Sequence, residues 1–128
     1  MILIAWTVIK LDKTFEQCIQ IADGCVSLGK GKEVKKIIAQ AQKKAPKIGL
    51  AWNKMGLILS NAKMEKDAVK CFKKCLELDP ENLPALCNLA GYYGSKGKKK
   101  DFDKLSRRIL EIDPTGEKLK KLMGQKYA

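Results

Sequence analysis

The fold is decided by residues 49–82, GLAWNKMGLILSNAKMEKDAVKCFKKCLELDPEN. Ala51, Met55, Ile58 and Leu59 fall at i, i+4, i+7 and i+8, the spacing of a helix packed on one side. Asn61 to Lys66 is mostly polar and interrupts that pattern. Ala68, Phe72, Cys75 and Leu76 then make a second apolar face, which stops at Asp79-Pro80 because proline disfavours helix in the residue before it. Small residues at Gly56 and Ala68 let two antiparallel helices approach closely. The stretch therefore reads as a helical hairpin, helix A followed by helix B.

Working outward, Pro46, Pro80 and Pro114 stand 34 residues apart, a period that marks stacked repeats. They divide the chain into 15–48, 49–82 and 83–116. In the middle segment Trp52, Gly56, Ala68, Phe72 and Pro80, with Met55 and Leu59, fill the slots of the 34-residue tetratricopeptide pattern. The third segment supplies Leu86, Leu89, Ala90, Tyr93 and Pro114, but carries Phe102 on the small-residue slot and Ser106 on the Phe slot. The first is more divergent, with Cys18, Ile21, Ala22, Cys25, Val34, Ile38, Ala41 and Pro46. The chain resembles the tetratricopeptide repeat (TPR) family over about four-fifths of its length.

That resemblance implies an all-α fold, a TPR-type right-handed superhelical solenoid of antiparallel helix hairpins, with three full repeats and a C-terminal capping helix. The cap spans 117–128, where Met123, Gly124 and Tyr127 continue the register of a helix A. Residues 1–14 form an N-terminal apolar segment that can be laid on AVKCFKKCLELDP as a remnant helix B. Their Ile, Val and Thr content equally allows a short strand or an unfolded arm. Residues 1–9 are too short for a bilayer span and lack the basic and cleavage features of a secretory signal.

Chemistry has little footing. The chain has no His, the usual base near neutral pH, and no phosphate loop, dinucleotide turn or serine elbow. Gly29-Lys30-Gly31-Lys32 falls in an interhelical turn, where glycine serves a positive φ. Glu77-Leu78-Asp79 and Glu111-Ile112-Asp113 hold equivalent repeat ends, which marks them as structural. The five cysteines contain no C-x-x-C pair, and Cys71 with Cys75 gives only two thiols for a tetrahedral metal site. Cys18, Cys25 and Cys75 take slots that the family buries. The reading is a non-enzyme with no cofactor, metal or small-molecule substrate, its thiols reduced in a cytoplasmic compartment.

Charge is unevenly placed. Net charge is +12, with 26 basic residues, yet the A helices (15–28, 49–62, 83–95) carry only Lys54. Lysines crowd the B helices and the turns into them, which the family resemblance turns to the convex side. A solvated outer face is the plain reading. An anion-binding surface at Lys98, Lys99, Lys100, Lys104, Arg107 and Arg108 is the sharper one. The small number of Arg and aromatic residues argues against reading of nucleic-acid bases.

The same resemblance points the A helices at a ligand. Their groove positions are Ile19, Asp23, Val26, Leu50, Asn53, Leu57, Asn61, Cys87, Asn88, Gly91 and Gly94. Ile19, Val26, Leu50 and Leu57 make an apolar stripe; Cys87, Gly91 and Gly94 leave a face almost bare of side chains. The asparagines suit a peptide backbone. The carboxylate clamp of TPR co-chaperones is not reproduced. In the first register Ile19, Asp23, Lys54, Pro84 and Asn88 all depart from it. In the second (Asn53, Leu57, Asn88, Lys118, Leu122) only Asn88 and Lys118 match. The expectation is a protein-interaction adaptor that binds a peptide or helix segment in the groove. The alternatives are a basic module docking on RNA, ribosome or another polyanion, and a fragment of a larger TPR scaffold.

Overall fold

The computed structural model describes residues 13–121. The expectations for the N-terminal apolar segment and for Met123, Gly124 and Tyr127 lie outside those residues. The described residues fall into two compact units, one up to Ala45 and one from Pro46.

The first unit is one hairpin, α1 (Phe15–Ser27) and α2 (Gly31–Lys44). Thr14 starts α1 with a capping box: its hydroxyl accepts from the Gln17 N–H at 3.1 Å, and the Gln17 carboxamide accepts from the Thr14 N–H at 2.9 Å. This satisfies two donors that a helix start leaves open. Phe15, Cys18 and Ala22 of α1 are buried, as are Val34, Ile38 and Ala41 of α2. The Lys44 ammonium donates to the Lys13 carbonyl, tying the two ends of the hairpin.

The second unit holds α3 (Gly49–Asn61), α4 (Glu65–Leu78), α5 (Leu83–Ser95) and α6 (Lys99–Ile112). A further helix begins at 117–121. Helix α3 packs on α4, α4 on α5 and α5 on α6. The expected faces are in place: Ala51, Met55, Ile58 and Leu59 of α3 are buried, and so are Ala68, Phe72 and Cys75 of α4. Asn82 caps α5, its side-chain oxygen accepting from the Ala85 N–H at 3.0 Å, with Pro84 in the first turn where a missing N–H costs nothing. Leu86, Ala90, Ile109 and Leu119 form the core around α5 and α6.

The turn inside each hairpin is the same turn three times. Lys30, Met64 and Lys98 donate backbone N–H bonds to Cys25, Leu59 and Tyr93 at 2.9, 2.9 and 3.0 Å. Gly29, Lys63 and Gly97 donate to Val26, Ser60 and Gly94 at 3.0, 3.0 and 3.2 Å. This paired bonding is the Schellman motif, which needs a left-handed residue just past the helix. That residue has φ +72° at Gly29, +66° at Lys63 and +70° at Gly97. The middle turn therefore places a lysine where its two counterparts use glycine.

The tightest helix contact is in the middle hairpin. A Cβ on Gly56 would stand 2.5 Å from Cε1 and 2.7 Å from Cδ1 of Phe72. The ring itself is buried, so α3 and α4 meet at the glycine with no room for a methyl group. In the third hairpin the small and large partners change places. Ala90 takes the glycine slot and Ser106 the Phe slot, while Phe102, one turn earlier, packs on the core. The Ser106 hydroxyl donates to the Phe102 carbonyl at 2.8 Å and needs no other buried partner.

Cysteines fill the seam. Cys18, Cys71 and Cys75 are buried thiols, whereas Cys25 is half-buried rather than enclosed as its slot implied. Burial, then the charge of Asp79, pushes the Cys75 thiol from 9.0 up to about 11, against a smaller opposing effect of the Asn53 backbone.

Three outcomes follow from this packing. Gly56→Ala costs about 1–3 kcal/mol in urea unfolding, and most of that cost disappears in a Phe72→Leu background; equal costs in the two backgrounds would exclude the contact. Lys63→Gly raises stability by about 0.5–1 kcal/mol, since the left-handed penalty of about 1–2 kcal/mol outweighs the chain entropy of glycine. Between pH 9.0 and about 11 the unfolded thiolate forms while the folded Cys75 keeps its proton, so folding stability falls as pH rises. The stability gap between wild type and Cys75→Ala narrows across that window, read by unfolding at a series of pH values.

Candidate peptide-binding cleft

The second unit carries a cleft of about 450 Å³. Leu57 and Ser60 of α3 form one wall. Glu65, Ala68, Val69 and Phe72 of α4 form the floor, and α5 supplies the other wall through Leu83, Pro84, Cys87, Asn88, Gly91, Tyr92 and Ser95. Lys118 and Lys121, on the helical start after α6, stand at its edge.

The walls follow from helix periodicity. Pro84, Cys87, Asn88, Gly91 and Ser95 recur every three or four residues on α5, opposite the buried Leu86, Leu89 and Ala90. On α3 the buried stripe leaves Leu57 on the other side, and it stays 40% exposed. That is a large apolar side chain facing solvent at the mouth of a cleft.

Asn88 donates from Nδ2 to Oδ1 of Asn53 at 3.2 Å, joining α5 to α3. Asn53 is only 5% exposed. Expected to face a ligand, it is instead buried, and its oxygen is satisfied by the Asn88 carboxamide reaching over from α5. Asn88 keeps its own oxygen outside that bond and lines the cleft. Burial raises the Cys87 thiol pKa from 9.0, the Lys118 charge lowers it and the Asp113 charge raises it further. Asp113 accepts from the Thr115 hydroxyl at 2.6 Å and from the Lys118 N–H at 3.3 Å. These bonds, with the Lys118 charge, hold its carboxyl below the usual range. They also fix the turn that brings Lys118 to the cleft.

Of the groove residues expected from the sequence, the cleft gathers Leu57, Cys87, Asn88 and Gly91. Leu50 is 56% exposed, Asn61 is exposed and Gly94 is half-buried, and none of these lines the cleft. Ile19, Asp23 and Val26 belong to α1 in the first unit: Ile19 and Val26 are half-buried and Asp23 is exposed. The α4 floor was missed because slot reading assigned the ligand face to A helices alone, and Tyr92, though on the A helix α5, falls outside the slots read as ligand-facing. The signal was present in Ala68 and Phe72, whose repeat slots place them under the α3 glycine.

The suggested anion-binding group divides. Arg108 bonds Glu111 at 2.9 Å and approaches Glu81 at 3.9 Å, and the Lys98 ammonium lies 6.0 Å from the Tyr93 ring centre. Lys99, Lys100, Lys104 and Arg107 are exposed. Among the described residues, no helix is long and apolar enough to cross a membrane.

The tetratricopeptide repeat family model matches residues 49–82. Two curated proteins named peroxisomal targeting signal receptor, from Komagataella phaffii strain GS115 and Komagataella pastoris, are each 42% identical to this chain over 66 residues. The aligned part is 52% of this chain and 11% of each relative, so the chain spans a small part of their length. The matched hairpin is α3–α4, and α1–α2 and α5–α6 reproduce its turn bonds at the same 34-residue spacing; residues 49–82 match a tetratricopeptide repeat, and the two other hairpins share its turn.

Proposed function

We propose that this chain is a non-catalytic adaptor that holds a peptide segment in the cleft between α3 and α5. The cleft of about 450 Å³ is the observation that carries this reading. Its walls are apolar at Leu57, Val69, Phe72, Leu83 and Cys87, with the Asn88 carboxamide among them. Apolar walls with a few placed polar groups suit side chains of an extended or helical segment, while the amide holds its backbone. Lys118 and Lys121 favour a carboxylate on the peptide at that edge. The named role of the two relatives, reception of a targeting signal, agrees with a short peptide as the ligand class. Because those relatives are much longer, the repeats also suit a place within a larger scaffold, where the cleft keeps the same task. A cytoplasmic setting, with free thiols, belongs to the same reading.

A peptide-display selection on the purified chain tests it. Selected peptides bind wild type at moderate salt and lose at least about tenfold in affinity to Leu57→Glu, since a charge in an apolar wall is desolvated without a partner. Peptides that bind Leu57→Glu equally well would place the site elsewhere.

A further inference from the structure

The 34-residue period orders charge as well as packing. On α4, Lys66, Lys70 and Lys73 follow at i, i+4 and i+7; on α6, Lys100, Lys104 and Arg107 hold the same three slots. All six are exposed. An α-helix rises about 1.5 Å per residue, so each row sets its charges about 6 and 4.5 Å apart along the axis. The spacing i, i+4, i+7 keeps each row on one helix face.

Ion pairs at both ends of the helices align the rows. Lys96, just before α6, bonds Glu65 at the start of α4 at 3.3 Å. Arg108, late in α6, reaches Glu81 just after α4 at 3.9 Å. The two helices therefore run in the same direction with matching ends together. Among the neighbouring acids, Asp103 is half-buried beside the α6 row, three residues after Lys100 and four before Arg107. Glu77 pairs with Lys74 at 3.4 Å and Glu111 with Arg108 at 2.9 Å, closing each row at its C-terminal end. Asp67 and Asp101 sit in the first turns, where they complement the helix dipole. Among the described residues, no ion pair engages Lys66, Lys70, Lys73, Lys100, Lys104 or Arg107.

We infer that these paired rows form a second docking surface, separate from the peptide cleft, for the phosphate backbone of a nucleic-acid duplex bound without regard to sequence. The chemistry of the rows selects this partner. A duplex carries one negative charge per about 1.7 Å, and neutralising its phosphates releases counterions. Five of the six residues are lysines, which bind phosphate as point charges and read no base edge. Single strands are held in grooves lined by aromatic rings. Here the aromatic residues of α4 and α6, Phe72 and Phe102, turn inward, and the rows stand on open helix faces. A bilayer anchor needs apolar side chains beside the charges, and neither row carries one. The exposed Leu110 lies off the row, on a neighbouring side of α6.

Fluorescence anisotropy with a short mixed-sequence DNA duplex tests the surface, with its single strand and phosphatidylserine vesicles as the other arms. The duplex binds at low salt with a log K against log salt slope of about −5, which is 0.9 for each of six contacts. The double variant Lys70→Gln, Lys104→Gln reduces the slope by about 2 and weakens binding alike for duplexes of different sequence. Its circular dichroism and melting midpoint stay at wild-type values, as expected for exposed positions. Leu57→Glu leaves duplex binding unchanged, so failure of the peptide cleft and failure of this surface are told apart. The inference is overturned by no duplex binding at low salt, by an unchanged slope in the double variant, or by tighter binding to the single strand or the vesicles.

Discussion

One contact constrains the middle hairpin: the edge of the Phe72 ring against the backbone of Gly56. The two positions obey a rule across the repeats. Where the B helix presents a phenyl ring, the A helix has no side chain. Where α2 presents Ile38, the facing slot is Ala22, and both are buried. Where α6 presents Ser106, the slot is Ala90. Interiors packed like crystals tolerate neither a void nor an extra methyl, so the pair is selected as a unit. The third hairpin moves its ring to Phe102, one turn along, and keeps its volume in the same seam. A helical hairpin of this kind is thus specified by complementary volumes rather than by any single residue.

This contact also shapes the site. Bringing α3 down onto α4 buries one stripe of α3 and turns Leu57 outward. Packing α5 against α4 then leaves the side chains of α4 between the two A helices as a floor. The Asn53–Asn88 bond links the two walls. A part-buried carboxamide pair bonds well at one register only, so it adds specificity to apolar packing that would otherwise be free to slide.

Much of this was legible from residue spacing. The prolines, the two apolar faces of 49–82 and the glycine at 56 located the helices, because burial on one side leaves a 3.6-residue signature in sequence. The turns were partly legible: Gly29 and Gly97 announce a left-handed residue, but Lys63 does not, since lysine carries no such preference. The site was less legible. Assigning ligand-facing roles by slot names Leu57, Cys87, Asn88 and Gly91, which line the cleft, but it assumes that each slot faces the same way in every repeat. Asn53 departs from that because its neighbour happens to be another asparagine at bonding distance. Arg108 departs because Glu81 and Glu111 come within reach only after folding. Charges pair through space, and their partners carry no periodic signal.

The same period that stacks hairpins must also align whatever stands on their outer slots. A lysine at one solvent slot of a repeat is an ordinary solubilising residue. Held at the same slot in α4 and α6, beside a second slot of like charge, it becomes part of an array whose spacing is set by the backbone. Lys32 and Lys36 occupy those slots in α2 as well. Like charges at this spacing repel, at a cost of a few tenths of a kcal/mol per pair, and carboxylates at 66 or 70 would have relieved that cost without touching the core. Apart from the half-buried Asp103 beside the α6 row, the acidic residues of the two helices sit in the first turns and at the row ends, where they complement dipoles or pair with Lys74 and Arg108. The rows, whose cations form no ion pair among the described residues, are therefore a property of the surface itself, independent of the packing that builds the hairpins.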